Sequence, residues 1–442
     1  MLQAEPERRR RSAVLSDALY FLILLLLKLL CNVPPIILDC KFASAYGIHL
    51  DNKHWQWRFA AGIDEIPAAE WDLCLAEDGQ TEPDNPFCRH AFLKALEQSG
   101  SVCAAAGWQP MHLQLFCNDR CLAVMPLYLK DHSWGEYVFD WAWADAYQRH
   151  GEAYYPKLVC AIPFTPVSGP RLGIAPEARA ATTDIQQALA KLFWQLLESY
   201  SSWHWLFVNK GQLDSLRHLP QTLVREGTQF HWFNRGYSQF DDFLARLNSK
   251  RRKNILKERR ALADLQFVWL RGDELQDWHW QLFYRCYRQT YLKRSGHRGY
   301  LQPDFFKLLG KLMAAEVRLL LVHRLGETPQ QALACALYLQ GKDTLYGRYW
   351  GALEEIPALH FEACYWQGID YCIKNGLSCF NAGAQGEHKL IRGFECVTTY
   401  SLHGIAHPGF REAIADFCQT EAGNNRLYQA QLQQALPYKK GD

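Results

Sequence analysis

The sequence predicts an α/β (α+β) protein built from two tandem copies of one unit, each a mixed central sheet flanked by helices. Three observations lead to this prediction. The chain has 442 residues, which is enough for two or three domains. Apolar strand patterns and amphipathic helix patterns are interspersed in both halves, as in α/β and α+β folds. The pattern His-x-Glu-Ala-x-Tyr occurs twice, beginning at His150 and again, 210 residues later, at His360.

The repeat extends beyond this short pattern. At the same offset, Leu127-Tyr128-Leu129 corresponds to Leu337-Tyr338-Leu339. At a slightly different offset, HAFLKALE at 90–97 resembles PDFFKLLG at 303–310. Solenoid repeats have periods of about 20–50 residues, so this long period indicates duplication of a whole domain. The alternative is a chance similarity between two α/β units.

In the first half, local signals predict helices and strands in turn. A helix is expected after Pro67, because proline suits the first helical position, where its missing N–H is not needed. Asn85 and Gly100 bracket a second helical pattern as a cap and a terminator. The further predictions are strands at 111–116, 121–130, 135–144 and 202–209, a proline-rich loop at 162–172 and a helix at 183–200.

The second half repeats the theme. Helical periodicity covers 241–262 and 276–294, and a helix at 360–376 ends at Gly376. Strands are expected at 267–272, 317–325, 331–340, 343–352 and 378–383. A strand followed by a helix and another strand suggests a crossover, and clefts open at the ends of such strands.

Composition limits the classes of function. The net charge of +2 implies no overall preference for an acidic or a basic partner. The 15 cysteines are scattered singly without a CxxC pair, which indicates buried thiols in a reducing cytoplasm rather than a disulfide framework. No His/Cys/Asp cluster has metal-ligand spacing, so no metal is expected.

The N-terminal segment is treated separately. Four arginines at 8–11 precede the apolar run ALYFLILLLLKLL at 18–30, which Lys28 interrupts. The uninterrupted run is short for a membrane span. A membrane anchor is therefore less favoured than an extension or translated sequence upstream of the natural start. The predicted organisation is an extension at 1–57, a first domain at 58–232, a second domain at 233–422 and a tail at 423–442. The expected location is the cytoplasm, with membrane association as the alternative.

Long blocks of the sequence carry a family resemblance. The blocks are MPLYLKDHSWGEYVFDWAWADAYQRHGEAYYPKLVCAIPFTPVSGPRL at 125–172, TLYGRYWGALEEIPALHFEACYWQGIDY at 344–371 and FNAGAQGEHKLIRGF at 380–394. They resemble the FemAB-like peptidoglycan biosynthesis/recognition family of the GNAT acyltransferase superfamily, over roughly 58–420. The resemblance implies two GNAT-like folds in tandem, with the two His-x-Glu-Ala segments as the equivalent central helix of each copy.

The resemblance also bears on the acyl donor. GNAT enzymes that bind acyl-CoA use a Gly-rich turn before the central helix to offer backbone N–H groups to the pyrophosphate. Here that turn, GALEEIPAL at 351–359, has one glycine and the carboxylates Glu354 and Glu355. This departure favours aminoacyl-tRNA over acyl-CoA as the donor. Neither is expected as a resident cofactor, and the acceptor would be the amine of a peptidoglycan-type precursor or another small molecule.

A basic run at 246–260 is the expected contact for phosphates. At helical spacing, Arg246, Lys250, Lys253, Lys257 and Arg260 share one face. Such a stripe can contact the phosphates of tRNA or of a phosphorylated precursor. No aromatic residues are interleaved for base stacking, and no DNA partner is expected. The alternative is an ordinary solvated helix.

The densest polar cluster is GAQGEHKLIRGFE at 383–395. Glu387 and His388 are candidate catalytic residues, because histidine titrates near neutral pH. Gln385, Lys389 and Arg392 are candidates for substrate binding, and the two cations, three residues apart, could face one anion. The alternative is a surface turn with ordinary charges.

The remaining candidates lie at the ends of predicted strands and the start of the predicted helix. Glu362 and His360 are candidate catalytic groups, although helix-dipole pairing or capping explains them equally. The predicted substrate contacts are Asp140, Trp141, Arg348 and Tyr349. The expected function is a GNAT/FemAB-like transferase of acyl or aminoacyl groups. The alternative is a non-catalytic binding protein of the same fold that recognises a cell-wall or amino-sugar precursor.

Overall fold

An eleven-stranded mixed sheet and a five-stranded antiparallel sheet carry the fold in the computed structural model, which describes residues 47–50, 53–384 and 386–439. The described residues form one compact unit. The domain limits at 58, 233 and 423 therefore stay a prediction, and the apolar run at 18–30 lies outside the described residues. Among the helices that the structure describes, none has the length and apolar character to cross a bilayer.

The strands account for both sheets. They are β1 (Gly47–Leu50), β2 (Lys53–Ala60), β3 (Trp108–Pro110), β4 (His112–Cys117), β5 (Arg120–Met125), β6 (Leu127–Lys130), β7 (Lys157–Cys160), β8 (Gly173–Ile174), β9 (Ser202–Val208), β10 (Leu223–Phe233), β11 (Leu265–Arg271), β12 (Val317–Arg324), β13 (Ala334–Gln340), β14 (Thr344–Ala352), β15 (Cys379–Asn381) and β16 (Glu395–Ile405). The smaller sheet has the order β1-β2-β4-β5-β8. The larger sheet has the order β11-β12-β13-β14-β15-β10-β16-β9-β7-β6-β3.

The helices cover the sheets. They are α1 (Ala68–Leu75), α2 (His90–Gln98), α3 (Trp141–Arg149), α4 (Thr182–Leu196), α5 (Lys210–Leu216), α6 (Phe240–Arg246), α7 (Ser249–Arg260), α8 (Asp277–Ser295), α9 (Pro303–Leu312), α10 (Leu359–Phe361), α11 (Gln367–Lys374) and α12 (Pro408–Gln434). A π-helical turn, Glu362–Trp366, joins α10 to α11, so the three form one continuous helix. We call this the central helix of the second copy.

The strand order reveals the duplication. At the middle of the large sheet β10 pairs antiparallel with β16. On one side β9 pairs in parallel with β7, and on the other side β15 pairs in parallel with β14. Helix α4 connects the first parallel pair, and the central helix connects the second. The two halves of the sheet therefore have the same plan, and the predicted tandem fold is confirmed.

The two copies also exchange their last strands. Strand β10 follows the first copy in sequence but pairs with β15 of the second copy. Strand β16 ends the second copy but pairs with β9 of the first. Each copy thus contributes one strand to the other copy's half of the eleven-stranded sheet. The two halves therefore share a continuous set of backbone hydrogen bonds.

Part of the sequence repeat reflects residues in structurally equivalent positions, and part does not. Tyr128 in β6 and Tyr338 in β13 occupy equivalent strands, since each strand pairs antiparallel with the first member of a parallel pair. The predicted equivalence of the His-x-Glu-Ala segments is wrong. His150 ends helix α3 ahead of β7, whereas His360 lies in the central helix after β14. The true counterpart of the central helix is α4, because the long insertion between β6 and β7 breaks the constant offset.

A second correction concerns 135–144, where a strand was expected. Trp141–Arg149 forms helix α3 instead. Trp143 and Tyr147, four residues apart, are buried on one face and pack with Ile414 and Cys418 of α12. Aromatic residues favour strands in isolation, but here the helical spacing of the two rings matches a neighbouring helix, and packing outweighs propensity.

Continuous apolar runs lie where the sheet is covered on both faces. All residues of β9 are buried, as are all but the last of β12, which is the pattern of strands covered on both faces. The core of the second copy packs large rings of the sheet, including Trp232 and Tyr338, together with Trp366 of the central helix. Burial of apolar surface contributes about 25 cal/mol per Å², so this core fixes the position of the central helix beside β14.

Candidate active site

The parallel strands β14 and β15 diverge and open a cleft. They pair only through Thr344–Tyr346 and Cys379–Asn381. Strand β14 then continues to Ala352, while the chain after β15 turns into the loop at 382–394. Ligands of α/β folds bind at the carboxyl ends of such strands. A cavity of about 760 Å³, which we call the aromatic cavity, lies at this point.

The aromatic cavity has an unusual lining. Its charged or titratable side chains are Arg294, Arg348, His297, His360, His388 and Cys364, along with several tyrosines. No carboxylate lies among its described lining residues. Eleven of the 29 described lining residues are aromatic: Trp134, Tyr137, Phe139, Trp141, Tyr287, Tyr291, Tyr300, Tyr338, Tyr349, Trp350 and Tyr365. Such a wall suits a ligand that is planar and anionic, because arginine pairs with phosphate and stacks on rings.

The first copy closes one side of the cavity. Its loop at 133–141 supplies Trp134 and Trp141, whose rings lie 4.9 Å apart at the mouth and are 55% and 39% exposed. Phe164 of the first copy stacks on Tyr300 of the second, with 5.2 Å between ring centroids. The site is therefore incomplete without both copies.

Arg348 and Tyr349, the predicted substrate contacts of β14, both line the cavity. The Arg348 side chain lies over the rings of Phe87 and Tyr349, 5.2 Å from each centroid, and its Nη2 donates to the Phe164 carbonyl. Shielding from water raises the pKa of the Tyr349 hydroxyl above its ordinary value.

His360 and Cys364 also line the cavity, on successive turns of the central helix. His360 Nδ1 lies 3.5 Å from Cys364 Sγ. Shielding by the cavity walls, assisted by Arg294, lowers the pKa of His360 to about 4, and burial raises the pKa of the Cys364 thiol. Both groups are therefore neutral near pH 7, and the pair is not a preformed thiolate–imidazolium.

Glu362 lies on the opposite side of the central helix. It is buried and accepts hydrogen bonds from Arg259 of α7, at 3.2 Å, and from Gln367, at 2.8 Å. It is not among the residues that line the cavity. Burial raises its pKa despite the neighbouring Arg259. The ion pair joins α7 to the central helix.

The loop after β15 brings His388 to the rim of the cavity. Gly386 takes a φ of +114°, which glycine adopts without strain, and Glu387–Arg392 forms a 3₁₀ helix. His388 Nε2 lies 2.7 Å from the Tyr365 hydroxyl. Partial burial and the charges of Arg392 and Lys389 lower the pKa of His388, so its ring is neutral at pH 7.

The other polar residues of this loop lie elsewhere. Glu387 is exposed, receives a hydrogen bond from Tyr428 and does not line the cavity. Lys389 is buried and donates to the Gly383 carbonyl at 2.5 Å. Arg392 is buried over the Phe361 ring, 3.6 Å from its centroid, and donates to the His388 carbonyl. Lys389 and Arg392 therefore do not converge on one anion. Gln385 lies outside the described residues.

Asp140 and Trp141 are neighbours in sequence, but only one of them lines the aromatic cavity. Trp141 lines the mouth of the cavity. Asp140 is buried within the first copy, where its Oδ2 accepts from Lys157 at 2.5 Å and from the Tyr154 hydroxyl at 2.6 Å. Asp140 thus holds the loop that carries Trp141, without reaching the cavity.

The basic run folds as two helices rather than one. Arg246 ends α6, and the break before α7 removes it from the predicted face. Lys250, Lys253, Lys257 and Arg260 are exposed on α7. None of these residues lines the aromatic cavity. They form a surface stripe on the helix that Arg259 attaches to the central helix.

Sequence reasoning missed the wall formed by α8. Tyr287, Tyr291 and Arg294 recur at i, i+4 and i+7 and face the cavity together. The i, i+4, i+7 spacing of these residues is the sequence signal that could have identified the α8 wall.

The sequence analysis also missed the ion pairs of the two glutamates before the central helix. Glu354 pairs with Arg324 and Glu355 with Lys293, so neither carboxylate is directed at the cavity. Within the residues described, no three His, Cys, Asp or Glu side chains are grouped as metal ligands.

The fold and the cavity together define a class. The protein consists of two tandem units of one mixed-sheet plan, with a cavity where the parallel strands of the second unit diverge. The chain belongs to the FemAB-like family, described as "Peptidogalycan biosysnthesis/recognition", whose profile matches residues 62–440. The predicted family is thereby confirmed.

Other comparisons are more distant. FemX is 12% identical, with a TM-score of 0.45 over 79% of this chain and 97% of that chain. A tandem GNAT protein from the clavulanic acid biosynthesis pathway is 8% identical, with a TM-score of 0.39 over 80% and 99%. L-PGS from Bacillus licheniformis is 10% identical, with a TM-score of 0.42 over 74% and 95%. No curated protein matches the sequence significantly. Since all three scores lie below 0.5, no substrate or mechanism is transferred from these structures.

Proposed function

We propose that the protein transfers an acyl or aminoacyl group from a donor in the aromatic cavity to an amine, in the synthesis of a peptidoglycan-type precursor. The observation that carries the proposal is the cavity itself. It is rich in aromatic rings, holds Arg294 and Arg348, and has no carboxylate among its described lining residues. The family description supplies the precursor class.

The cavity suits an activated ester or thioester whose leaving group carries phosphate. Arg294 and Arg348 would hold the anionic part, and the rings would stack on a base or cover an acyl chain. An aminoacyl ester of tRNA and an acyl-CoA both have this chemistry. The exposed lysines of α7 support the tRNA donor, since they provide a phosphate-binding stripe on the helix attached to the central helix.

The transfer step uses the neutral histidine at the rim. The acceptor nitrogen attacks the donor carbonyl carbon, the C–N bond forms, and the bond to the leaving group breaks. His388 accepts the proton that the nitrogen loses, because its ring is neutral and held by Tyr365, and then gives a proton to the oxygen or sulfur of the leaving group. A donor carbonyl near this rim would be adjacent to the backbone at 382–384 and to Gly386, which line the cavity.

A binding protein without catalysis is the second candidate. Neither of the two predicted catalytic carboxylates, Glu362 and Glu387, lines the cavity. A protein that recognises a precursor needs the aromatic wall and the arginines but no base. Binding of a muramoyl-pentapeptide without turnover of any donor would favour this candidate.

The test combines donor and acceptor with purified protein. Radiolabelled aminoacyl-tRNA or acetyl-CoA is supplied with a muramoyl-pentapeptide, and amide formation is measured. Arg294→Gln is expected to raise KM for the donor, and His388→Gln to lower kcat by about 10²–10⁴-fold. Arg298→Gln, which changes an exposed arginine outside the cavity lining, is the matched control. Absence of product with every donor from folded protein would refute the transferase.

A further inference from the structure

Tyr365 and His388 form a hydrogen-bonded pair where the central helix meets the loop after β15. Tyr365 lies in the π-helical turn of the central helix, and His388 lies in the 3₁₀ helix Glu387–Arg392. The Tyr365 hydroxyl is 2.7 Å from His388 Nε2, and both residues line the aromatic cavity. The proposed function uses His388 as the group that takes up the amine proton. The contact with Tyr365 defines the route by which that proton reaches it.

Packing fixes both rings of the pair. The Tyr365 ring is buried and meets the rings of His360 and Phe394 edge-on, with 5.6 Å between ring centroids in each case. The His388 ring lies directly against Gly386, where an added β-carbon would meet the imidazole atoms Cε1 and Nδ1. Because position 386 has no side chain, the imidazole can turn its Nε2 atom toward the tyrosine hydroxyl.

Basicity sets the direction of this hydrogen bond in the free protein. An imidazole nitrogen binds a proton at about pH 6.5, whereas a phenol keeps its own proton up to about pH 10. The Tyr365 hydroxyl is therefore the donor and His388 Nε2 the acceptor, which leaves the imidazole proton on Nδ1. In the described part of the chain, neither the hydroxyl nor the ring has a second hydrogen-bond partner. The Tyr365 oxygen can thus accept from a ligand, and His388 Nδ1–H can donate to one.

The surroundings keep both members of the pair neutral in the free protein. Partial burial lowers the pKa of His388, and the positive charges of Arg392, Lys389 and Arg294 lower it further. Burial raises the pKa of the Tyr365 hydroxyl, although Arg392 and Arg294 oppose this change. A neutral imidazole can accept a proton, and a neutral phenol can receive one proton while it passes its own onward.

We propose that Tyr365 contacts the acceptor amine and passes its proton to His388. As the nitrogen bonds to the donor carbonyl carbon, it gives a proton to the Tyr365 oxygen, and the Tyr365 hydroxyl proton moves to His388 Nε2. The resulting imidazolium gives its Nδ1 proton to the oxygen or sulfur of the leaving group as the bond from that atom to the carbonyl carbon breaks. An amine and an ester or thioester become an amide and an alcohol or thiol, and no proton is gained or lost overall.

A single catalytic unit thereby serves both ends of the transfer. The nitrogen and the leaving atom are bonded to the same carbonyl carbon, so the groups that exchange protons with them must lie side by side. The Tyr365 oxygen and the His388 ring do so, since one hydrogen bond joins them. After transfer the imidazole proton is on Nε2, and exchange with water returns it to Nδ1, because His388 is exposed at the rim.

The inference rests on the proposed function, but the hydrogen bond has a test that needs no substrate. In protein labelled with ¹⁵N-histidine, nuclear magnetic resonance should show the His388 proton on Nδ1 and a hydrogen-bonded acceptor at Nε2. Tyr365→Phe should remove this hydrogen bond and with it the preference for the Nδ1–H tautomer. Tyr237→Phe is the matched control, because Tyr237 belongs to the same core and its hydroxyl has no hydrogen-bond partner among the described residues. A wild-type proton on Nε2, or an unchanged His388 signal in Tyr365→Phe, would overturn the inference.

Turnover distinguishes the pair from His388 acting alone. Tyr365→Phe and His388→Gln should each lower kcat by about 10²-fold or more, with little change in KM for the donor, while Tyr237→Phe keeps the wild-type rate. The double variant should be no slower than the slower single variant, because members of one catalytic unit are not additive. A wild-type kcat in Tyr365→Phe, or losses that multiply in the double variant, would refute only the role of Tyr365. Absence of product from folded wild-type protein would instead refute the transferase itself.

Discussion

Gly351 of β14 faces the backbone of Cys286 in α8 so closely that no space remains for a β-carbon between them. This contact seats α8 on the sheet and so positions Tyr287, Tyr291 and Arg294 along the wall of the aromatic cavity. The glycine that the sequence pattern assigned to a phosphate-binding turn is instead a packing residue within a strand.

Gly351→Ala is therefore expected to destabilise the protein by about 2–4 kcal/mol, because α8 must shift away from β14. Chemical denaturation gives the free energy of unfolding. Gly423→Ala is the control, since Gly423 lies in α12 with nothing near its added β-carbon and should gain about 0.5–1 kcal/mol from helix propensity. Equal effects of the two substitutions would contradict the packing role of Gly351.

Arg348 links the two copies at the cavity through its hydrogen bond to the Phe164 carbonyl. Arg348→Met should destabilise the protein by about 1–3 kcal/mol, because the carbonyl loses a charged donor at a partly buried position. Arg149→Met removes an exposed i,i+4 pair with Asp145 and should change the stability by less than about 0.5 kcal/mol. If thermal denaturation shows Arg348→Met to be as stable as Arg149→Met, the interface does not depend on this contact.

The sequence predicted the tandem plan because strand and helix periodicities are local properties. Continuous apolar runs such as 317–324 correspond to buried strands, and Tyr128 and Tyr338 do lie in equivalent strands. The strand exchange was not predictable in this way. Whether β10 pairs with β9 or with β15 depends on long-range packing, and nothing within 223–233 encodes its partner.

The sequence predicted part of the lining of the aromatic cavity, namely residues at the ends of β14, in the central helix and in the loop after β15. Arg348, Tyr349, His360 and His388 all line the cavity. Lys389 and Arg392 follow His388 directly, yet a 3₁₀ turn directs both into the protein. Charge density in a sequence does not reveal which of its side chains are buried. The contributions of α8 and the loop at 133–141 come from distant parts of the chain and meet only in the folded structure.

Lys389 should make stability depend on pH in a defined direction. Burial lowers its pKa to about 7, whereas the unfolded chain has the ordinary value of about 10.4. Burial of the charged Lys389 ammonium lowers the free energy of unfolding by its full amount below about pH 7. This loss disappears as the pH rises toward about 10, because the buried amine is then neutral. Between these values the wild type should gain about 1.4 kcal/mol per pH unit relative to Lys389→Met, which does not titrate.

Urea denaturation of the two proteins at several pH values measures this difference. Lys342→Met, which alters an exposed lysine, is the control and should track the wild type across the same pH range. A constant difference between Lys389→Met and the wild type would mean that Lys389 has an ordinary pKa in the folded protein.

The exposed lysines of α7 should govern any binding of tRNA. Lys253→Gln combined with Lys257→Gln should weaken binding and reduce the slope of log K against log salt by about 1.5, since each phosphate contact contributes about 0.7–0.9. Lys191→Gln with Lys210→Gln removes the same charge from exposed positions of the first copy. If both double variants lose affinity equally, the effect comes from net charge and not from a site on α7.

Lys157 is surrounded by Glu136 and Asp140 in the interior of the first copy, and all three side chains are nearly inaccessible to water. Burial lowers the pKa of Lys157, but the two carboxylates outweigh it and raise the pKa overall. Lys157→Met would leave both carboxyl groups buried without their cation, and removal of one partner from a buried ion pair costs about 3–5 kcal/mol. The triple variant Lys157→Met, Glu136→Gln and Asp140→Asn should recover most of this loss, because neutral amides remove the uncompensated charge.

Lys94→Met, which breaks a partly exposed pair with Asp64, should cost less than about 1 kcal/mol. Urea denaturation of the four proteins decides the matter. A Lys157→Met protein as stable as the wild type, or a triple variant no better than the single one, would show that charge pairing does not hold the loop at 133–141 in place.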